Sequence, residues 1–179
     1  MTAANASAVF DVWEVLTERL SALSFPLADF ESTVHTWFGD PRQPNPDENG
    51  QGAETSAERA VVVGAVERPA VQWGPIGNIA QEEEFLATIV VVSEVPGRTS
   101  TQARDRIRDL TAAVAASVRS VQAGARDDTD QPAQFKKYPV FWWSVDPTDP
   151  TVAPGPDGYV AAAEIGVRCR FRINTPPRQ

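Results

Sequence analysis

The chain has 179 residues, 42% of them apolar, with a formal net charge of −8 and an isoelectric point near 4.7. This length predicts one domain across residues 1–179, with apolar material enough for a core. The acidic balance argues against sequence-specific nucleic-acid binding, which needs cations to neutralise phosphates, and against an anionic membrane surface.

Cys169 is the only cysteine, so no intrachain disulfide can form, and its place in an apolar strand pattern predicts a small buried hydrophobe. The N-terminus, M-T-A-A-N-A-S-A-V-F-D, has neither a basic region nor a long apolar run, so no signal peptide is expected. The apolar stretch Ile89–Val92 is far too short to cross a bilayer. Synthesis in a cytosol is the expectation.

Val9, Val12, Trp13, Leu16, Leu20 and Leu23 share one face of a 3.6-residue period, which predicts a helix over 8–23 with Trp13 in the core and Pro26 as its stop. Residues 33–38 alternate β-branched and aromatic side chains and predict a strand. His35, the only histidine, falls there on the side of Trp37; with no ligand or catalytic partner nearby in sequence, a half-buried or hydrogen-bonded structural role is expected. Residues 39–57 carry prolines, glycines and polar residues and predict a long exposed loop.

A buried strand is expected over 59–67, a turn region over 68–78, and a second apolar strand over 83–92. Pro96-Gly97 ends that strand. Thr99 and Gln102 then form a capping box, and Ile107, Leu110, Val114, Val118 and Val121 define a helix to about residue 122, with Gly124 beyond its end. A short aromatic strand is expected over 138–145 and, because of four prolines, a loop over 146–158. The last strand, 157–173, places Ile165, Val167, Cys169, Phe171 and Ile173 on one side and Gly166, Arg168, Arg170 and Arg172 on the other. Strands in runs, without strict βαβ alternation, predict an α+β fold: a mostly antiparallel β-sheet with two amphipathic helices packed on one face.

Catalytic fingerprints are missing. There is no G-x-S-x-G, no H-E-x-x-H and no Walker motif. The turn V-P-G-R-T-S-T has one glycine and no lysine, too little to specify a phosphate nest, and Gly74-Pro75-Ile76-Gly77 stands in acidic surroundings unsuited to clamping RNA. No catalytic residue, metal site or cofactor is expected.

Other features point to assembly. Three arginines in a row repel one another and call for acidic partners, either across the sheet or on a neighbouring copy; Glu82 and Glu84 are the candidates, with both readings open. Trp142 and Trp143 are adjacent in a strand and so face opposite ways; one is expected inside and the other against a partner. The candidate inter-subunit interface is therefore Arg168, Arg170, Arg172, Glu82, Glu84, Trp142 and Trp143.

The succession of an N-terminal amphipathic helix, V-V-V-G, W-G-P-I-G, E-E-E-F-L-A-T-I-V-V-V, the helix A-R-D-R-I-R-D-L-T-A-A-V, an aromatic strand and A-A-A-E-I-G-V-R-C-R-F-R-I resembles the tail terminator (tail completion) proteins of long-tailed bacteriophages, especially those of actinobacteria. The likeness spans residues 8–173 and leaves out the loops 39–57 and 146–158. It implies a small α+β domain in a homohexameric ring that caps the tail tube, halts its polymerisation and offers a docking surface to the head or neck connector. The implied partners are further copies of the chain, the tail tube protein and the connector, with DNA passing through the lumen, and the implied place is the virion. Head-closure or connector adaptor and minor tail subunit are the neighbouring readings. A ligand-binding or enzymatic domain, with a pocket among Trp37, Trp73 and Trp142, is the more distant one.

Overall fold

The computed structural model describes residues 7–23, 34–42, 58–63, 72–73, 80–94, 96–124, 131–138 and 141–174. The elements in chain order are α1 (Val9–Ser21), β1 (Val34–Gly39), β2 (Glu58–Val63), β3 (Gln72–Trp73), β4 (Ala80–Glu94), α2 (Ser100–Gly124), a 3-10 turn (Ala133–Phe135), β5 (Phe141–Pro147), β6 (Thr151–Gly155) and β7 (Gly158–Asn174). One sheet runs β1-β2-β4-β7-β5, with β3 added to β4 and β6 to β7. The β1–β2 pair is parallel and every other pair is antiparallel, so the fold is α+β with a mostly antiparallel sheet.

The spine is the β4–β7 ladder, paired from Ala80↔Asn174 to Glu94↔Val160. Alternation puts Phe85, Ala87, Ile89 and Val91 of β4 and Ala161, Ala163, Ile165, Val167, Cys169 and Phe171 of β7 on one face, all buried. Both helices cover that face: Val9, Val12, Val15, Leu16 and Leu20 of α1 and Ile107, Leu110, Val114, Val118 and Val121 of α2 join the same core. Cys169 is buried there, and burial pushes its thiol pKa up, away from the reactive thiolate.

The helix ends are held in two ways. At α2 the capping box forms: the Gln102 amide donates to Thr99 Oγ1 (3.3 Å) and Gln102 Oε1 accepts from the Thr99 amide (2.9 Å). At α1 the N-cap is Ala8, which has no capping group; Ser7 Oγ accepts from the Val9 amide (3.3 Å), and Glu83 of β4 accepts from the Ala8 amide (2.8 Å) and from Ser7 Oγ (2.6 Å). A carboxylate there also suits the positive end of the helix dipole. The expected acidic strand entry is thus split by alternation, with Glu83 buried and Glu82 and Glu84 on the other face.

Several expectations need correction. Residues 146–158 are not a structureless loop, because β6 forms a hairpin with β7 from Thr151↔Ala162 to Gly155↔Gly158. Its prolines are tolerated because, among the described residues, β5 and β6 pair only with β7, leaving an outer edge without a ladder to break. The hairpin tip lies on the β4–α2 turn, where the Gly97 amide donates to the Asp157 carbonyl (2.8 Å). A Cβ on Gly158, at φ +152°, would meet Gly97 N at 3.2 Å, so only glycine fits this approach. The turn region expected over 68–78 contains the short β3, paired Gln72↔Glu82. The aromatic strand expected over 138–145 runs Phe141–Pro147, and Phe135, in the 3-10 turn before it, fills the core beside Trp143 and Phe171. Trp13 is half-buried at the core margin. His35 is half-buried on β1. The expected loop segment 43–57 and the strand end 64–67 lie outside the described residues.

Candidate functional site

The sheet face opposite the helices is built by the same alternation that fills the core. On β7 it carries Arg172, Arg170, Arg168, Gly166 and Glu164; on β4, beside them, Glu82, Glu84, Leu86, Thr88 and Val90; on β5, Trp142, Ser144 and Asp146. Register sets the neighbours: Glu82 lies opposite Arg172, Glu84 and Trp142 flank Arg170, and Leu86 and Ser144 flank Arg168. A groove of about 500 Å3 runs over this end, lined by Glu82, Glu84, Trp142 and the three arginines.

Glu82 is the hub. Its Oε2 accepts from Arg170 Nε (3.1 Å) and from Arg170 Nη2, and its Oε1 accepts from Arg172 Nη2 (3.1 Å). These hydrogen bonds, Arg170's first and then Arg172's, hold the Glu82 carboxyl below its ordinary pKa, and Glu82 in turn raises that of Arg170. Of the two readings left open for the acidic run, cross-sheet pairing within one chain thus accounts for Glu82. Arg168 and Glu84 make no ion pair among the described residues. Three guanidiniums against two carboxylates leave the groove with one net positive charge.

The adjacent tryptophans part as alternation requires. Trp142 stands in the groove at 45% exposure. Trp143 is fully buried, its Nε1 donating to the Val118 carbonyl of α2 at 3.2 Å. Trp143 therefore leaves the interface set: its side chain lies between sheet and helix, out of reach of any partner.

The strand-to-helix turn presents no cation outward. Arg98 is buried, and its Nη1 donates to Glu58 Oε1 (2.7 Å) and Ser93 Oγ (2.8 Å). Arg106 of α2 grips the same carboxylate from Nε (2.9 and 3.0 Å to the two oxygens) and Nη2 (2.6 Å). This cluster is hard to read from sequence, because Glu58 is 35 to 48 residues from Ser93, Arg98 and Arg106 and meets them only once β2 pairs with β4 and α2 packs on the sheet.

Among the described residues no group of three or more His, Cys, Asp or Glu side chains gathers as metal ligands would, and no helix is long and apolar enough to cross a membrane. Phe10, Phe38 and Tyr159 are the other large apolar side chains exposed among the described residues, and none was singled out from sequence. The chain matches no protein-family model and no curated protein.

Proposed function

We propose that this chain is a structural subunit that works by assembly, as the ring-forming terminator of a bacteriophage tail tube. The observation that carries the reading is the split character of the sheet: one face is closed by α1 and α2, while the other holds Arg168, Arg170, Arg172 and an exposed Trp142 in an open groove. Tryptophan and arginine are both among the residue types enriched at the points that dominate protein interfaces. The chain's resemblance to tail terminators supplies the kind of assembly: a homohexameric ring seated between the tube and the head connector. A ring contact is heterologous, one patch meeting a different one on the next copy, and charges arranged in this way fix its orientation.

The test is Arg168→Glu and, separately, Arg170→Glu, each scored by thermal melting and by the length of tails formed in the presence of the variant. The expected result is near-normal melting with tails that overrun their proper length. Capping that survives both changes would refute the assembly role of this face. Cryo-electron microscopy of the particle, showing the chain at the head-proximal end of the tube, separates a terminator from a connector adaptor or minor tail subunit.

A further inference from the structure

At the sheet edge farthest from Trp142, α1 and β1 form a second exposed aromatic patch. Phe10 is 67% exposed and packs edge-on against Trp13, with centroids 5.3 Å apart; Phe38, 40% exposed, meets Trp13 from the other side at 4.9 Å. Between Trp13 and Phe38 lies a notch of about 290 Å3 rimmed by Glu14 and Glu18. Glu18 accepts from Gln134 Nε2 at 3.2 Å, and Glu14 makes no ion pair among the described residues. Trp13 Nε1 is buried without an acceptor among the described residues.

Each patch has what the other lacks. The α1–β1 notch is aromatic and rimmed by carboxylates; the β5–β7 groove has a projecting tryptophan rimmed by guanidiniums. They cannot meet within one chain. β1 and β5 end the path β1-β2-β4-β7-β5, about 19 Å apart at the usual strand spacing. They also use opposite faces, since Phe38 shares the helix side with Val34, whereas Trp142 lies on the open side. Two copies in the same orientation, shifted by about one sheet width, bring the helix-side edge of one beneath the open-side edge of the next.

We propose that Trp142 of one copy docks into the Trp13–Phe38 notch of a second copy, with Arg168 and Arg170 facing Glu14 and Glu18. The contact rests on the self-assembly reading and names its second half. It is heterologous, so its repetition closes a ring or runs on as a filament according to the rotation per step. The notch partner is this same chain because the two ends of one sheet carry aromatic side chains ringed by opposite charges.

Disulfide trapping in the full chain tests it. Phe10→Cys and Trp142→Cys replace exposed side chains, and buried Cys169 stays out of the exchange. Oxidised with copper–phenanthroline, neither variant should dimerise alone, their mixture should give a linked dimer, and the double variant should give a ladder of linked copies. Trp142→Cys dimerising by itself would mean a two-fold contact and would overturn the proposal. A protein that sediments as an assembly but gives no more link than a control pair, Arg108→Cys with Asp149→Cys, overturns this contact and leaves self-assembly standing. A link without control of tail length overturns the tail reading and leaves the contact. A monomer at every concentration, with no link, overturns both. In an assembling protein, Trp142→Ala should weaken association about thirtyfold, the mark of a buried interface anchor. Glu14→Arg and Arg168→Glu should each weaken it about two- to fivefold, with recovery when the two variants are mixed.

Discussion

The buried carboxylate of Glu58 gives the sharpest test of the physical account. It is 0% exposed and accepts from Ser93 Oγ (3.1 Å), Arg98 Nη1 (2.7 Å) and Arg106 Nε and Nη2 (2.9 and 2.6 Å). Glu58→Ala leaves the Arg98 and Arg106 side chains, each 8% exposed, without this carboxylate. Adding about 1.5–3 kcal/mol for each charge-assisted hydrogen bond would overshoot, because guanidiniums on long stems swing toward water once released. Breaking a buried ion pair from one side costs about 3–5 kcal/mol, and this is the expected loss. For a chain of this size the melting temperature falls by about 6–20 °C. Chemical denaturation should show a lower midpoint at unchanged slope. Glu58→Gln keeps the shape and one acceptor oxygen and should lose less. A double-mutant cycle with Arg106→Ala should show strong coupling, because the two side chains form one bidentate unit. A loss below about 1 kcal/mol for Glu58→Ala would refute the claim that this cluster ties β2 to α2.

Three further outcomes follow from the geometry. Phe171→Ala empties a site ringed by Phe85, Phe135, Tyr138 and Phe141, with centroids 4.8 to 6.0 Å away, and should cost about 3–5 kcal/mol in urea unfolding, in contrast to Arg168→Glu. Glu83→Ala removes the acceptor of the Ala8 amide and should cost about 1–2 kcal/mol, with faster hydrogen exchange confined to the first turn of α1. Tyr138 donates its hydroxyl to Asp11, and burial first, then that carboxylate, raises its pKa. The folded state therefore holds the phenolic proton more tightly than the unfolded state does. That stability is intact below about pH 10, the ordinary tyrosine value, and is lost as pH rises beyond it. Tyr138→Phe should flatten the alkaline limb of the stability profile.

The parts of the fold written in local periodicity could be read from sequence. The spacing Ile107, Leu110, Val114, Val118 and Val121 defined the inner face of α2, and the alternation Ile165 to Phe171 defined the inner face of β7. Non-local pairing could not be read in this way. Nothing near residues 151–155 announces a strand, because Pro154 and Pro156 signal a loop; the hairpin exists through the register of β7 and the close approach of Gly158 to Gly97. Glu58 was passed over for a similar reason, since a charge at a strand start looks like a solvated end until Arg98 arrives from the β4–α2 turn and Arg106 from α2. At the candidate site, alternation gave the arginine row correctly and showed that Trp142 and Trp143 must part. Which tryptophan goes inside depends on the β5–β7 register, with Trp143 opposite Cys169.

The cis pairing of Glu82 sharpens what the arginine row can offer a neighbour. A row of three bare guanidiniums would attract any acidic surface; one pinned by Glu82 at Arg170 and Arg172 holds those two in fixed directions beside Arg168 and the face of Trp142. Exposed ion pairs add little to stability, so Glu82 matters more for holding two long side chains in fixed directions than for binding the strands together. Fixed side chains lose less freedom when a partner arrives, and the contact then costs less to form. If Glu14 and Glu18 were neutral, the Trp13–Phe38 notch would be a plain apolar patch, open to any tryptophan; with them, the proposed contact favours one flanked by arginines. In the proposed contact, selectivity would rest on the charges and affinity on the aromatics. Raising the salt concentration should slow association of the wild type far more than it speeds dissociation.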